Sequence, residues 1–314
     1  MKNIISQLKS LATGGFSFRD EYLCKPEIAL PRFEKALKEA RAFYGKKDKK
    51  IPSELVHDCW KDNISRLESY FFNQMNADFV SNEIINSTMV FTDRKAHKIE
   101  VQNISSALDR NEIDRIVGKG LNAAFIQGKS RRAAAINSIH HLHHLLQFER
   151  ATGRKISSIK SIVEFGGGYG NMARIAQNIG SFDRYSIIDL LLFSCIQYIF
   201  LCTSAGEGQV SFSGHPIKNA KFTLHPISDP GSMGSLQGEL FLSTWALSES
   251  TRAIYDWVDA CDWFGATNLL LAYNLQWKPW QENELAASLR NKGWRVAEET
   301  IPFLPGNFYF FATR

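Results

Sequence analysis

The sequence predicts an α/β protein in which a helical N-terminal region precedes a mostly parallel sheet covered by helices. Three observations support this fold class. From about residue 153 onwards, short apolar runs alternate with helical stretches, the order typical of a parallel sheet with helical crossovers. A cluster of glycines follows the first of these apolar runs. Two β-prone segments at the C-terminal end leave no room for a helix between them, so they must be antiparallel neighbours.

We predict seven strands in this part of the chain. Helices fit between several of the first five strands, at 171–179, 190–203 and 250–263, and another helix, 281–292, follows the fifth. The last two strands form a hairpin whose connection contains Pro302, Pro305 and Gly306. The predicted strands are Ser161–Phe165, Arg184–Ile188, Lys221–His225, Glu239–Ser243, Thr267–Tyr273, Trp294–Thr300 and Asn307–Thr313.

The first half of the chain is predicted to be helical, with apolar residues near the helical period. The predicted helices are Arg32–Tyr44, Ser53–Met75 and Arg131–Ala151. No pattern is clear enough to assign residues 76–130. We therefore expect two parts, a helical region over 1–152 that shapes and covers an acceptor pocket, and a ligand-binding domain over 153–314.

Composition narrows the class of protein. The chain has 314 residues, of which 44% are hydrophobic and 22% charged, the balance of an ordinary soluble protein. A net charge of +5 is spread along the chain and gives nucleic-acid binding no support. The five cysteines are scattered, which favours neither disulfides nor a thiolate zinc site and fits the cytoplasm. The strongest apolar run, 190–202, is too short to span a bilayer, so it predicts a buried helix.

A glycine-rich turn follows the first predicted strand and leads into a helix. Its glycines are Gly166, Gly167, Gly168 and Gly170. Glycine is needed where the backbone adopts positive φ and where a ligand must approach the main chain. Glu164, at the end of the strand, could bind the ammonium group of an amino acid and would repel a pyrophosphate.

An acid at the end of the second strand completes the pattern. Asp189 lies about 20 residues after the last glycine, the spacing expected of a carboxylate that binds the ribose hydroxyls of a nucleoside. A tight turn in an α/β protein without a ligand is the simpler alternative.

At these residues the chain resembles the S-adenosylmethionine-dependent methyltransferases of the Rossmann-like class, whose first motif is an acid, one further residue and glycines at alternate positions. It is similar, more narrowly, to the sugar O-methyltransferases of bacterial glycan and natural-product pathways. That resemblance rests on Val163–Arg174, Tyr185–Leu190 and Leu240–Ser250 and covers the C-terminal half. In the family a proline often follows the Asp-Leu pair, where this chain has Leu191.

The resemblance implies a Rossmann-like methyltransferase sheet with a terminal antiparallel hairpin, S-adenosylmethionine as donor, and a sugar hydroxyl of a glycan or sugar-containing metabolite as acceptor. Two alternatives remain open. Residues Gly168–Ala173 also satisfy the G-x-G-x-x-A pattern of NAD(P)-dependent oxidoreductases, and a catalytically silent relative could keep the fold as an interaction module. Divalent metal assistance is possible but not indicated, and the oligomeric state is undetermined.

Candidate catalytic residues follow from the need for a general base, because a sugar hydroxyl is a poor nucleophile. Glu249 follows the fourth predicted strand after a short loop and is expected to open the next helix, where helix-end stabilisation is the competing role. The helix before the first strand carries His140, His141, His143 and His144. At helical spacing His140 and His144 share a face, so they are candidates for a base or acceptor contact, with core packing as the alternative.

The remaining site residues are expected at the carboxyl ends of the strands, where open α/β sheets bind their ligands. Leu190, Asp229, Ser243 and Thr244 are predicted to border the donor. Predicted acceptor contacts are Trp245, Tyr273, Asn274, Gln276 and Arg131.

Overall fold

The computed structural model describes residues 19–47, 56–121, 128–227, 233 and 235–314. Its core is an eight-stranded sheet in the order β3-β4-β2-β1-β5-β6-β8-β7. The strands are β1 (Ser161–Phe165), β2 (Arg184–Asp189), β3 (Val210–Phe212), β4 (Phe222–Pro226), β5 (Leu240–Thr244), β6 (Asn268–Asn274), β7 (Arg295–Thr300) and β8 (Asn307–Thr313).

Strands β1 to β6 pair in parallel, and β8 runs antiparallel to both β6 and β7. The predicted mostly parallel sheet with a terminal antiparallel hairpin is confirmed, and its order is that of the Rossmann-like methyltransferase sheet. The sheet has one strand more than the seven predicted. The extra strand, β3, is only three residues long, too short for a pattern of alternating burial to be visible in the sequence.

The described helices alternate with the strands in the second half of the chain and precede them in the first. They are α1 (Pro26–Gly45), α2 (Asp58–Asn73), α3 (Glu83–Met89), α4 (Arg94–Ala107), α5 (Arg110–Gly118), α6 (Gly128–Thr152), α7 (Asn171–Ile179), α8 (Leu191–Ala205), α9 (Arg252–Ala260) and α10 (Glu284–Asn291). Helices α3, α4 and α5 occupy part of the segment that the sequence pattern left unassigned.

Local chemistry explains why these three short helices form. The Asn82 side chain accepts hydrogen bonds from two backbone N–H groups at the start of α3, and Asp93 does the same for α4. Asp109 and Glu112 form a reciprocal capping box at the start of α5. Such caps satisfy the free N–H groups of the first turn, which stabilises helices too short to be stable alone.

Two hydrophobic cores cover the two faces of the sheet. Neighbouring residues of β1 point to opposite sides, so Ile162 belongs to the first core and Val163 to the second. The first core is continuous with the N-terminal helices and with α7 and α8, and the second contains α9 and α10. The helical N-terminal region therefore packs on the same face of the sheet as α7.

Helix α8 is the buried helix that the apolar run predicts. It lies between the sheet and α1, and its residues Leu191–Thr203 are all buried. Within the described part of the chain, no helix is both long enough and apolar enough to cross a membrane.

Arg174 of α7 joins the N-terminal helices to the sheet domain. Its guanidinium is 2% exposed and donates to the carbonyl oxygens of Val117 and Lys119 and to the hydroxyl of Ser138. Burial lowers the pKa of this guanidinium to about 10. The side chain thus remains a cation and satisfies carbonyl groups at the C-terminal end of α5.

Replacement of Arg174 by methionine is expected to lower the free energy of unfolding by about 2–4 kcal/mol, because it removes the donors to the Val117 carbonyl and to Asn171 Oδ1 in a buried region. Chemical denaturation of the variant measures this loss. Arg184→Met is the matched control: Arg184 is exposed and donates only to the Gln237 carbonyl, so a change within about 0.5–1 kcal/mol is expected. Equal losses in the two variants would contradict the assigned role.

Candidate functional site

The glycine turn between β1 and α7 has the backbone conformation that the sequence predicts. Gly166, Gly168 and Gly170 have φ angles of +77°, +55° and +97°, a region that side chains disfavour. A Cβ atom on Gly166 would lie 2.0 Å from the Cβ of Ala246, which follows β5. One on Gly167 would lie 2.7 Å from Ile187. The turn therefore needs glycine both for its conformation and for close packing.

Two carboxyl groups flank this turn. Glu164 is 2% exposed and accepts a hydrogen bond of 2.9 Å from the Tyr185 hydroxyl. Burial raises the pKa of Glu164 to about 8. The hydrogen bond from Tyr185 lowers this pKa and the charge of Asp189 raises it, but burial has the largest effect. Burial also raises the pKa of Asp189 to about 7, although the Leu190 N–H and Gln197 donate to it. Both carboxyls are poised to bind a positive charge or hydroxyl donors.

Gln197 is a site residue that the sequence analysis missed. Its amide nitrogen donates to Asp189 Oδ2 over 2.7 Å and to the Gly168 carbonyl over 3.1 Å. The side chain comes from the middle of α8 and so joins the acid to the turn. The signal in the sequence was a single amide within an otherwise apolar helix, where a buried polar group needs a partner.

One cavity of about 410 Å³ connects the turn to the N-terminal helices, a size typical of small-molecule sites. The cavity is lined at one end by seven residues for which the sequence analysis predicted contacts with a donor. They are Glu164, Gly166, Gly167, Gly168, Asp189, Leu190 and Thr244. Gly170 lies behind the turn, at the start of α7. The opposite walls come from Trp245, Ala246, Glu249, Ser250, Leu304, Asn307, Val56, His57, Trp60, Ser87–Phe91, Asn137, His140 and His141.

Glu249 lies in this cavity wall, in the turn after β5. Helix α9 begins three residues later, at Arg252, with Thr251 as its N-cap, so the expectation that Glu249 opens the helix is wrong. Burial raises the pKa of the Glu249 carboxyl. None of the described residues forms a hydrogen bond or ion pair with this carboxylate. It is a carboxylate that lines a cavity and has no partner in the part of the chain that the structure describes.

Trp245 also lines the cavity, with a strained backbone. Its φ is +64°, which is uncommon for a large side chain, and its N–H donates to the Ala272 carbonyl over 2.6 Å. The indole N–H donates to Asn307 Oδ1 over 2.7 Å. Asn307, from the start of β8, is a second cavity residue that the sequence analysis missed. Strain of this kind concentrates at functional sites.

The histidines of α6 form a hydrogen-bond chain whose direction can be derived from Arg150. A guanidinium can only donate, and Arg150 donates to Gln147 Oε1. The Gln147 NH₂ group is therefore the one that faces His143 Nε2, 3.2 Å away, so this nitrogen accepts. In neutral His143 the proton is then on Nδ1, and it donates to the Tyr309 oxygen over 3.2 Å.

The same hydrogen-bond chain continues from Tyr309 to Glu100. The Tyr309 hydroxyl donates to His144 Nδ1 over 2.6 Å, and His144 Nε2–H donates to His140 Nε2 over 3.0 Å. His140 Nδ1–H then donates to Glu100 Oε1 over 2.5 Å. Burial holds the pKa of His144 well below its usual value, which keeps this ring neutral.

Both ring nitrogens of His140 and His144 are thus engaged by protein groups. The His140 ring is also stacked between Phe91 and Trp245, with ring centroids 3.9 and 5.4 Å away. These two histidines stabilise the cavity wall, and neither has a nitrogen free to accept a proton from a ligand. In the described part of the chain, no three histidine, cysteine or acidic side chains are grouped to hold a metal ion.

Several predicted contacts do not reach the cavity. Tyr273 is 2% exposed, donates to Glu298 and packs in the second core, because its side chain points to the far face of β6. Asn274 contacts Asn307, and the exposed Gln276 donates its backbone N–H to Asn274. The Ser243 hydroxyl is buried, where it joins the Phe165 carbonyl to the Leu247 N–H. Asp229 and the side chain of Arg131 lie outside the described residues.

No protein-family model matches the chain, and no curated protein is similar to it in sequence. Several solved structures that are similar to it are methyltransferases. Mitomycin 7-O-methyltransferase MmcR is 14% identical, with a TM-score of 0.41 over 70% of this chain and 68% of that one. An O-methyltransferase family protein from Burkholderia thailandensis is 12% identical, with a TM-score of 0.41 over 70% of each chain. An rRNA methylase from Escherichia coli is 11% identical, with a TM-score of 0.38 over 88% of this chain and 99% of that one.

Proposed function

We propose that this protein is an S-adenosylmethionine-dependent O-methyltransferase that acts on a sugar hydroxyl. One observation carries the proposal. A single cavity has a glycine turn between the buried Glu164 and the partly buried Asp189 at one end. On another wall lies the carboxylate of Glu249, with which no described residue forms a hydrogen bond or ion pair. This arrangement suits a positively charged nucleoside next to a hydroxyl that must lose a proton.

The donor end fits S-adenosylmethionine in charge and shape. Glu164 would bind the ammonium group and Asp189 the ribose hydroxyls, while Leu190 and Ile227, both in the cavity wall, offer apolar contacts to the base. When bound, the donor supplies a methyl group on a positively charged sulfur. The diphosphate of a nicotinamide dinucleotide would instead lie beside two carboxyl groups, so the oxidoreductase alternative is disfavoured.

The acceptor end suits a neutral polyol. The aromatic rings of Trp245, Trp60 and Phe91 offer apolar faces, and Ser87, Asn307 and Ser250 add hydroxyl and amide groups. A sugar has the same combination of apolar faces and hydroxyl edges. Among the described residues no lysine or arginine lines the cavity, which favours an acceptor without phosphate at the reacting ring.

Glu249 would act as the general base. A carboxylate with a raised pKa is a stronger proton acceptor, and one within hydrogen-bond reach of the hydroxyl can take its proton as the new C–O bond forms. His140 and His144 were the other candidates, but their nitrogens are engaged in the chain that ends at Glu100.

One prediction from this proposal concerns the binding of S-adenosylhomocysteine, the demethylated donor, which calorimetry measures. Glu164 and Asp189 have pKa values of about 8 and about 7 in the free protein, and both must lose a proton to bind ammonium and hydroxyl groups as anions. Because two protons are released, affinity is expected to rise by roughly 15- to 50-fold per pH unit between about pH 6 and about pH 7.5. It should level off near pH 8, where α-amino groups begin to lose their own proton.

Glu164→Gln is the control, because it keeps the shape of the side chain and removes the charge. We expect weaker binding in this variant and a shallower pH dependence, which reports Asp189 alone. Titrations with NAD⁺ and NADP⁺ should show no binding. If the protein bound either dinucleotide and ignored S-adenosylhomocysteine, the proposed donor would be wrong.

The second prediction concerns turnover, measured as release of S-adenosylhomocysteine with a panel of neutral methyl glycosides and oligosaccharides. Glu249→Gln is expected to lower kcat by roughly 10²- to 10⁴-fold, the usual contribution of a general base. Its affinity for S-adenosylhomocysteine should change by less than about threefold, because Glu249 makes no donor contact in this proposal.

Glu282→Gln is the matched control for that experiment. It makes the same change of charge at an exposed position in the loop before α10 and should retain normal turnover. Full activity of Glu249→Gln would remove this residue from the role of base. Turnover with RNA and none with any saccharide would reject the proposed acceptor.

A further inference from the structure

His141 is the one histidine of the α6 cluster that faces the cavity with a free ring nitrogen. It lies beside the glycine turn and lines the cavity together with Gly168, Tyr169 and Met172. Its Nδ1 is 2.9 Å from the amide nitrogen of Asn171, the first residue of α7. No described residue forms a hydrogen bond with its Nε2.

The position of the proton on His141 follows from Arg174. The guanidinium of Arg174 can only donate, and two of its nitrogens lie 3.1 and 2.8 Å from Asn171 Oδ1. The Asn171 NH₂ group must therefore face His141, so Nδ1 of His141 accepts. A neutral imidazole with Nδ1 as acceptor carries its proton on Nε2.

His141 consequently presents an N–H donor to the cavity. Burial, reinforced by the positive charge of Arg174, holds its pKa well below the usual value, so the ring is neutral and the tautomer is fixed. Arg174 and Asn171 are themselves buried, and Arg174 is held by three further hydrogen bonds. The donor is thus preorganised, at no cost in ordering the side chain on binding.

The same end of the cavity contains Glu164. An α-amino acid carries one ammonium and one carboxylate on the same carbon, so its recognition needs a carboxylate and an N–H donor close together. Glu164 can bind the ammonium group, but its negative charge repels the carboxylate. His141, across the glycine turn, supplies the donor that Glu164 cannot.

We propose that His141 Nε2–H binds the carboxylate of the donor's methionine moiety, opposite Glu164. This inference rests on the proposed use of S-adenosylmethionine and adds the residue that selects a donor with an intact amino acid. Asn171 and Arg174 are positioning residues, because they fix the tautomer of His141 without contacting the ligand.

The test compares three ligands by calorimetry: S-adenosylhomocysteine, its decarboxylated amine, and 5′-methylthioadenosine, which has neither charged group. His141→Phe is expected to weaken S-adenosylhomocysteine by roughly 10- to 100-fold, the range for a hydrogen bond to a charged group. The other two ligands should change by less than about threefold. His141→Gln keeps an N–H donor and should restore binding to within about fivefold of the wild type.

Glu164→Gln is the complementary control. It is expected to weaken both ligands that carry an ammonium group and to leave 5′-methylthioadenosine unchanged. Equal weakening of all three ligands by His141→Phe, or no weakening of any, would overturn the proposal. If wild-type protein bound neither S-adenosylhomocysteine nor 5′-methylthioadenosine, the proposed donor itself would fail, which is a different result.

A measurement on the wild-type protein keeps the proposal testable if His141→Phe does not fold. In ¹⁵N-histidine NMR spectra, His141 should be neutral with its proton on Nε2. Addition of S-adenosylhomocysteine should shift the Nε2 signal, whereas addition of the decarboxylated amine should not. A proton on Nδ1, or the same shift with both ligands, would contradict the assignment.

Discussion

The organising constraint of this structure is the placement of two carboxyl groups, the buried Glu164 and the partly buried Asp189, beside one glycine turn. They receive hydrogen bonds from Tyr185, Gln197 and the backbone, but no described lysine or arginine forms an ion pair with either of them. Burial of charge without a counter-ion costs free energy, so the two acids keep their protons at pH values where exposed carboxyls have lost them. A bound cation or hydroxyl donor would favour the ionised form of each acid, so ligand binding at this turn is coupled to the loss of protons.

Arginine side chains determine the polarity of two hydrogen-bond chains that run through α6. One passes from Arg150 to Glu100 and engages every nitrogen of His140, His143 and His144 in the protein. The other passes from Arg174 through Asn171 and ends on His141 at the cavity. Four histidines that are close in sequence thus differ in which ring nitrogens can contact a ligand. The tautomer of each ring is set by a hydrogen-bond chain that begins at an arginine, which can only donate. The hydrogen-bond chain from Arg150 holds side chains of the cavity wall in place, and the chain from Arg174 leaves the Nε2–H group of His141 available to a ligand.

The sheet, its hairpin and the acid-glycine-acid motif could be predicted because they depend on local patterns: apolar runs, turn glycines and residue spacing. The site residues contributed by distant segments could not. Tyr273 was assigned to the site because it ends the fifth predicted strand, but a position at a strand end does not by itself tell which face of the sheet a side chain takes. His141 was passed over because helical spacing groups His140 with His144, whereas the packing of α4 and α7 against α6 decides which ring reaches the cavity. The helices within 76–130 were signalled only by their caps, such as Asn82 and Asp93.

Helix α8 gives the N-terminal half of the chain a role that is independent of any acceptor. Nearly all of its residues are buried and most of them are apolar, with the sheet on one side and α1 on the other. In a fragment that began at residue 153, the side of α8 that packs against α1 would be exposed to water. A continuous apolar surface of this kind favours self-association over folding as a monomer. The N-terminal helices cover this surface, so we expect the folding of the two halves of the chain to be coupled.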